Sequence, residues 1–141
     1  ANMGGQPVSI LLCDIDHFKK VNDIHGHAAG DEVLREFGRR LRENIRPLDL
    51  ACRYGGEEFV VIMPETSQEL AQQAGERLRQ LIAESPFAIG RGDELKVTMS
   101  GGVATIAQPD DAIEAILKRA DDALYRAKSA GRNKIELETI L

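Results

Sequence analysis

The sequence between residues 50 and 63 reads LACRYGGEEFVVIM, two apolar runs separated by a pair of glycines. A Gly-Gly pair between apolar runs is typical of a tight hairpin turn, because glycine reaches positive φ without steric cost. The pattern therefore predicts strands at 50–54 and 58–63. Glu57 and Glu58 follow the turn, and adjacent carboxylates repel each other unless a positive group lies nearby. The pair indicates either a site for a hard divalent cation carrying phosphates or a solvated acidic turn.

The segment before this hairpin supplies a second acidic position. Residues 8–13 are almost continuously apolar and end at Asp14, which predicts a central strand buried on both faces. Acidic side chains at the carboxyl end of such a strand lie where α/β sheets bind ligands. If this strand pairs with the hairpin, Asp14 and Glu57 can share a metal. Asp16 can instead form an Asx turn at the start of the next loop.

The region between these two segments is predicted to be a loop followed by a helix. Residues 16–30 are polar, so we expect a loop there, and Asp31 then opens the helix. Apolar residues recur at helical spacing beyond Asp31. Pro47 disfavours helical geometry at the preceding residue, so the helix should end near Arg46.

The remainder of the chain alternates helices and strands. Ser67 is a candidate N-cap for a second helix, whose apolar stripe starts at Leu70 and which Ser85 and Pro86 stop. The other predicted elements are strands at 95–99 and 103–106 interrupted by Gly101 and Gly102, a third helix from Asp111 or a neighbour to Gly131, and a last strand at 135–137. This order predicts a single α/β domain, in which helices flank a central, mainly antiparallel sheet.

Composition narrows the classes of function. The chain has 141 residues, 43% of them hydrophobic, which suits one domain with a real core. The net charge of −5 argues against a nucleic-acid-binding face. No apolar run approaches the ~20 residues of a membrane span, so we expect no membrane segment. Cys13 and Cys52 are expected to be buried small hydrophobes in a reducing cytosol.

Several motif blocks together resemble a GGDEF domain, the catalytic domain of bacterial diguanylate cyclases. The resemblance covers residues 8 to about 137, and its signature is of the GGEEF form. The blocks are DIDHFKKVND at 14–23, GH at 26–27, GDEVL at 30–34, RYGGEEF at 53–59, AD at 120–121 with Tyr125, AK at 127–128 and GRN at 131–133.

The resemblance implies a fold similar to the palm of nucleotide cyclases and polymerases. It also implies the condensation of two GTP molecules into cyclic di-GMP with release of pyrophosphate. Each such domain holds one GTP, so turnover requires a homodimer in which two copies face each other. A bacterial, cytoplasmic setting is implied as well. The family's upstream segment and any regulatory domain are expected to lie outside residues 1–141, which we take as the GGDEF domain alone.

Individual roles follow from the matched positions. Asp14, Glu57 and the Ile15 carbonyl resemble the ligands of a divalent cation, Mg²⁺ or Mn²⁺, and Glu58 those of a second cation. Catalytic roles fall on Glu57, Glu58 and Lys19, with Glu57 the usual candidate for the base. The implied GTP contacts are the guanine readers Asn22 and Asp31, the phosphate ligands Lys19, Lys128 and Arg132, the backbone of His17 and Phe18, His27 near the base, and Gly56.

The implied phosphate and guanine ligands have simpler alternatives. Lys128 and Arg132 suit a helix C-terminus in any protein, and Asp31 can simply cap its helix. His25 and His27 form an H-x-H pair, but no third histidine or cysteine cluster in the sequence supports zinc.

A second site is implied by Arg46-Pro47-Leu48-Asp49, an R-x-x-D motif upstream of the glycine pair. In the family this position resembles an inhibitory site for cyclic di-GMP, to which Arg77 would contribute. The simpler alternative is a helix-end ion pair between Arg46 and Asp49.

Two further functions stay open. The chain can be a module that binds GTP or cyclic di-GMP without turnover, or a metal-dependent nuclease, although it lacks a basic surface for nucleic acid.

The sequence departs from the family pattern at Gly101. A bulky aliphatic residue usually precedes the glycine that corresponds to Gly102, and we expect the extra glycine to loosen that strand.

Overall fold

A computed structural model describes residues 6–106 and 112–138 of the chain. The described residues form a sheet of five strands, a separate two-stranded hairpin and four helices. In chain order these are β1 Val8–Ile15, α1 Phe18–His25, α2 His27–Glu43, β2 Leu50–Gly55, β3 Glu58–Pro64, α3 Gln68–Glu84, β4 Phe87–Gly90, β5 Asp93–Leu95, β6 Met99–Ile106, α4 Ile113–Ser129 and β7 Ile135–Leu137.

The large sheet has the strand order β2-β3-β1-β6-β7. All of its pairs are antiparallel except β6 with β7, which is parallel. The predicted central, mainly antiparallel sheet is therefore confirmed. Strand β1 lies in the middle, and its register places Asp14 opposite Glu58 of β3. Strand β1 therefore pairs with the hairpin, which was the condition set for Asp14 and Glu57 to share a metal.

Helices cover both faces of the sheet. Alternate side chains of β1 point to opposite faces. Leu11, Cys13 and Ile15 pack with α1, α2 and α3, whereas Ile10 and Leu12 pack with α4. Fully buried side chains of this kind contribute about 1.5–3 kcal/mol each. The outcome is a three-layer α/β domain in which Asp14, one position after Cys13, points towards α4.

The loop predicted at residues 16–30 is wrong, because the structure forms two helices there. Helix α1 occupies 18–25, and α2 begins at His27 rather than at Asp31. Val21 is the buried residue of α1, and although Phe18, Val21 and Ile24 recur at helical spacing, the helix is short and its other residues are polar. It is stabilised by packing on α2, where Gly30 permits close contact: a Cβ on Gly30 would lie 1.9 Å from Asn22 Oδ1. Asp31 therefore lies inside α2 and does not cap it.

The prediction around the second glycine pair is also wrong. Strand β6 runs unbroken from Met99 to Ile106 through Gly101 and Gly102, and both glycines are buried. A Cβ on Gly102 would lie 2.2 Å from the Ala120 carbonyl oxygen, and one on Gly101 would meet Leu11 at 2.8 Å. These glycines allow α4 and the core to approach the strand closely, so they tighten the packing.

Three further expectations need correction. The strand predicted at 95–99 is wrong, because only Leu95 belongs to β5, only Met99 belongs to β6, and residues 96–98 between them form neither strand nor helix. Strand β5 pairs with the unpredicted β4. Cys52 is exposed because it lies on the edge strand β2, whereas Cys13 is buried as expected. Leu70 is counted in the apolar stripe of the second helix by its spacing, but its side chain is 54% exposed.

Several local signals are confirmed. Ser67 caps α3 by accepting a hydrogen bond from the Leu70 N–H. Gly56 takes a positive φ of 48° in the hairpin turn, and Gly131 takes 114° just after the Ala130 C-cap of α4. The proposed start of α4 at Asp111 lies outside the described residues. Among the described residues no helix is both long and apolar enough to cross a membrane.

Candidate active site

A cleft of about 170 Å³ opens at the carboxyl end of β1. It lies where the central strand, the hairpin turn, the start of α1 and the end of α4 converge. Eight of its nine lining residues are candidates from the sequence, the exception being Asp16. The lining residues are Asp14, Ile15, Asp16, His17, Phe18, Lys19, Glu57, Lys128 and Arg132.

The acidic side of the cleft comes from strand pairing. Asp14 lies opposite Glu58, and the Ile15 N–H donates to the Glu57 carbonyl oxygen at 3.4 Å. Burial raises the pKa of Asp14, and the charges of Glu57 and Asp16 add to that rise. Burial also raises the pKa of Glu58, and the charge of Asp14 raises it further. The fold therefore holds carboxylates together at the expense of their ionised forms.

One cation from α4 partly offsets this excess of negative charge. Lys128, in the last turn of that helix, donates to the Asp14 carboxylate, which lowers the pKa of Asp14 against the effect of burial. Asp14 is only 6% exposed, whereas the Lys128 side chain is 34% exposed. Lys128 can therefore exchange this carboxylate for an anionic ligand at the mouth of the cleft.

The donor set suits magnesium or manganese better than zinc. Among residues 6–106 and 112–138, no three histidine, cysteine or acidic side chains are grouped closely enough to enclose a metal ion. Mg²⁺ is commonly held by one or two carboxylates while waters and substrate phosphates supply the other ligands. Asp14 and Glu57, with the Ile15 carbonyl between them in the cleft wall, fit that pattern.

The opposite side of the cleft offers donors for an anion. Helix α1 begins at Phe18, and its first bond to the N-cap is from the Val21 N–H to the His17 carbonyl oxygen at 3.2 Å. The N–H groups of the first helical turn have no acceptors inside a helix, so this end of α1 favours phosphate. The Lys19 side chain is 91% exposed and lies 3.4 Å from Asp23. Lys19 is thus free to reach towards a ligand.

Strained backbone borders the same cleft. His17, Arg132 and Asn133 take left-handed φ values of 59°, 66° and 50°. Such conformations in residues other than glycine cost of order 1–3 kcal/mol each and persist where surrounding contacts enforce them. Here the enforcing group is the Asp16 carboxylate, which accepts the Asn133 N–H at 2.9 Å.

Sequence reasoning missed this Asp16 network. Asp16 accepts hydrogen bonds from the hydroxyls of Thr98 and Ser100, each at 2.7 Å, as well as from Asn133. The Asx turn considered for Asp16 is therefore replaced by long-range bonds. The one available signal is that Thr98 and Ser100 alternate with apolar residues where β6 begins.

Four predicted substrate residues do not line the cleft. Asn22 is half-buried on α1 against Gly30, and Asp31 is exposed on the next position of α2. His27 is exposed at the start of α2, and Gly56 is exposed in the hairpin turn. Three of these residues belong to the pair formed by α1 and α2. Asn22 lies on α1 and packs against Gly30 of α2, and His27 and Asp31 lie on α2 itself.

The R-x-x-D segment forms a closed turn at the opposite end of the sheet. The Arg46 guanidinium donates to the Asp49 carboxylate, with the shortest contact 2.6 Å, and this hydrogen bond raises the pKa of Arg46. Arg46 Nη2 also donates to the Pro64 carbonyl at 2.8 Å and the Thr66 hydroxyl at 2.7 Å. Arg77 is exposed on α3. The helix-end ion pair considered as the simpler alternative is therefore present.

Comparisons with known proteins agree on one family. The family model described as diguanylate cyclase, GGDEF domain, matches residues 1–134. Response regulator PleD of Caulobacter vibrioides is 56% identical over 136 residues, which are 96% of this chain and 30% of PleD. Diguanylate cyclase DgcP of Pseudomonas aeruginosa is 47% identical over 133 residues, which are 94% of this chain and 20% of DgcP. The chain thus spans less than a third of either relative.

A solved structure supports the same fold. The GGDEF domain of DgcB from Caulobacter crescentus, in complex with c-di-GMP, matches with a TM-score of 0.88 at 33% identity. The match covers 95% of this chain and 79% of that one.

Proposed function

The chain belongs to the GGDEF family of diguanylate cyclase domains, and we propose that it condenses two GTP molecules into cyclic di-GMP and two pyrophosphates. The observation that carries the proposal is the cleft at the end of β1, where buried carboxylates face a helix N-terminus and three basic side chains. Negative groups suited to a cation and positive groups suited to phosphate lie within one small volume. That combination fits a nucleoside triphosphate with a bound metal ion.

The proposed orientation of GTP follows from α1. Its first turn would bind the phosphates, together with Lys19, Lys128 and Arg132. Asn22 lies four residues after Phe18, or about 6 Å along the helix at 1.5 Å per residue. One short helix can therefore place phosphates at its start and the base at its side. Asn22 and Asp31 would accept from the N1 and N2 donors of guanine, which adenine does not supply together.

The chemistry of the proposed reaction assigns roles to the carboxylates. The 3′-oxygen of one GTP attacks the α-phosphorus of the other, the bond to the β-phosphate oxygen breaks, and pyrophosphate leaves. The same exchange between the remaining 3′-hydroxyl and the remaining triphosphate closes the ring and releases the second pyrophosphate. Glu57 is the candidate to accept the 3′-hydroxyl proton, and Asp14, Glu57, Glu58 and the Ile15 carbonyl would hold two Mg²⁺ or Mn²⁺ ions. When bound, the ions would activate the attacking oxygen and stabilise the leaving group. The raised pKa of Asp14 in the cleft, and of Glu58 opposite it on β3, supports a site that gains from binding cations.

A homodimer is part of the proposal, because one cleft holds one GTP and two are joined. Two copies would face each other with their clefts opposed, in the bacterial cytoplasm where GTP is available. The first experiment therefore uses the chain fused to a dimeric coiled coil, incubated with GTP and Mg²⁺. We expect cyclic di-GMP and pyrophosphate by mass spectrometry.

The matched variants are Glu57→Gln and Glu94→Gln. Glu57→Gln should reduce turnover at least about 10³-fold with an unchanged melting temperature, because the carboxylate is lost without change of shape. Glu94 is exposed on β5, away from the cleft, and its variant should keep full activity. GTP binding without product in the dimeric wild-type protein would favour the non-catalytic module instead.

Product inhibition at Arg46, Asp49 and Arg77 is a second part of the proposal. Its support is the motif and the exposed Arg77; the closed turn means that cyclic di-GMP would bind to an ion pair already formed. Arg77→Ala is the sharper variant, since it leaves the Arg46–Asp49 turn intact, and Arg46→Ala is the companion. Both should weaken inhibition by added cyclic di-GMP at least tenfold. Unchanged inhibition in both variants would refute this site.

A further inference from the structure

We propose that Asp16 is a positioning residue that holds Arg132 and the start of α1 in place at the phosphate side of the cleft. It lines the cleft beside Asp14, but it would bind neither metal nor substrate itself. The role depends on the proposed GTP cyclase function and adds to it the element that orients the phosphate ligands.

The Asp16 carboxylate already accepts three hydrogen bonds from protein donors, out of the roughly four that its two oxygens can accept. It is 7% exposed. Oδ1 accepts from the Ser100 hydroxyl at 2.7 Å, and Oδ2 accepts from the Thr98 hydroxyl at 2.7 Å and the Asn133 N–H at 2.9 Å. Each oxygen thus faces protein donors. This arrangement matches an anchor for backbone and strand, since a metal ligand needs an oxygen directed at the ion.

The segment that Asp16 anchors carries Arg132. Gly131, Arg132 and Asn133 take successive positive φ values of 114°, 66° and 50°. The Arg132 N–H donates to the Ala127 carbonyl at 2.9 Å, which closes the end of α4. The next N–H, from Asn133, donates to Asp16 and to the Ser100 hydroxyl, the latter at 3.1 Å. Arg132 is therefore fixed from both sides in a conformation that it would not hold alone.

The same residue fixes the other wall of the phosphate side. The Asp16 N–H donates to the Thr98 carbonyl at 2.9 Å, which extends the pairing of β1 beyond its last residue. His17 follows directly in left-handed geometry and serves as the N-cap of α1. Through its side chain and its backbone, Asp16 thus connects the start of α1 to the turn that bears Arg132.

The test is Asp16→Asn, which keeps the shape of the side chain. An amide can turn its oxygen to the Asn133 N–H and the Thr98 hydroxyl and its NH₂ group to the Ser100 hydroxyl, so the three partners can be kept. The neutral oxygen, however, accepts the Asn133 N–H more weakly than the carboxylate does, because the bond is no longer charge-assisted. We expect the dissociation constant of an α,β-methylene analogue of GTP to rise about tenfold by calorimetry, and KM for GTP to rise by a similar factor. We expect kcat to change less than threefold.

Two controls separate positioning from general stability. Ser9→Ala removes a buried polar group at the other end of β1, where the Ser9 hydroxyl donates to the Thr66 carbonyl oxygen at 2.8 Å. This variant should have a lower melting temperature than the wild type but should bind the analogue with unchanged affinity. In the Arg132→Ala background, Asp16→Asn should raise the dissociation constant of the analogue less than threefold, because the side chain that Asp16 positions is already gone. A full tenfold effect there would overturn the link to Arg132.

The remaining outcomes are also decisive. An unchanged analogue affinity in Asp16→Asn, with Arg132→Ala weaker than wild type, would refute the positioning role and leave the proposed function standing. A wild-type protein that neither binds the analogue nor turns over GTP would refute the proposed function itself. A higher Mg²⁺ requirement in Asp16→Asn would make Asp16 a metal ligand. If that variant does not fold, Thr98→Val takes its place, with an expected two- to fourfold weakening, and no change there would refute the role.

Discussion

Asp14 and Glu58 lie together at the carboxyl end of β1 with Lys128 as their cationic neighbour, whereas Arg46 and Asp49 close on each other near its amino end. In the first region burial raises the pKa of both acidic groups, so the ionised form of each is less favoured than it would be in water. In the second region a hydrogen bond to the carboxylate raises the pKa of Arg46, so the charged form is favoured.

The difference shows how one sheet can hold charge for two purposes. Uncompensated carboxylates destabilise the fold but provide a strong attraction for a cation, because the ion relieves their repulsion. A satisfied ion pair contributes to local structure and offers less to a ligand. We therefore expect substitutions at the carboxyl end to change activity more than stability, and substitutions at the Arg46–Asp49 turn to do the reverse.

After Glu57→Gln, the largest expected effect in these two regions is loss of turnover in Lys128→Met. The variant keeps a long side chain but removes the cation that neighbours Asp14 and would bind phosphate, so kcat/KM should fall about 10²–10³-fold. Steady-state kinetics of the dimeric fusion measure it. Lys134→Met is the control, since Lys134 bonds to the Ala130 carbonyl near the same helix end and does not line the cleft. If kcat/KM fell less than threefold in Lys128→Met, Lys128 would not be a phosphate ligand of the site.

The next effect is on stability at the Arg46–Asp49 turn. Asp49 is 5% exposed and Arg46 44% exposed, so Arg46→Ala leaves a buried carboxylate without its main partner. We expect a loss of about 1–2 kcal/mol in the free energy of unfolding. Urea denaturation of Arg46→Ala, Asp49→Ala and the double variant gives the coupling energy, which should be about 1 kcal/mol or more. A coupling near zero would mean that the two regions do not differ as described.

The smallest effect is a gain in stability in Glu58→Gln. Because the pKa of Glu58 is raised in the folded state, this group stabilises the fold while protonated, and that contribution is lost as pH rises through the folded pKa. The glutamine variant cannot ionise. Its melting temperature at pH 7, without metal, should therefore exceed that of the wild type by about 1–3 °C, and the difference should vanish towards pH 4.

Glu76→Gln is the control of opposite sign. The hydrogen bond from Arg79 lowers the pKa of Glu76, so its ionised form stabilises the fold above the unfolded pKa and this contribution is lost as pH falls. Its glutamine variant should melt at a lower temperature than the wild type at pH 7. If both variants changed the melting temperature by the same amount and in the same direction, the loss of a charge alone, and not the surroundings of each carboxylate, would explain the change.

Local patterns explain which parts of the fold were predictable. The glycine turn at 55–56, the Ser67 cap and the apolar strand β1 depend on neighbours within a few residues, and all three are confirmed. Helix α1 was missed because Val21 is its buried residue and its support comes from α2. The interruption at Gly102 was predicted from strand propensity, which cannot register that Ala120 of a later helix approaches within contact distance.

By itself the sequence determined most of the alternation of strands and helices and the acidic hairpin, because these depend on residue type and short-range spacing. The resemblance to the GGDEF family added most of the residues that line the cleft. Only the tertiary structure decided what those residues do to one another. Strand pairing set Asp14 against Glu58, the packing of α4 brought Lys128 to Asp14 across 114 positions, and Asp16 was joined to Asn133 across 117. Such contacts arise from how the layers pack, and electrostatic interactions depend on distance in space and burial rather than on separation along the chain.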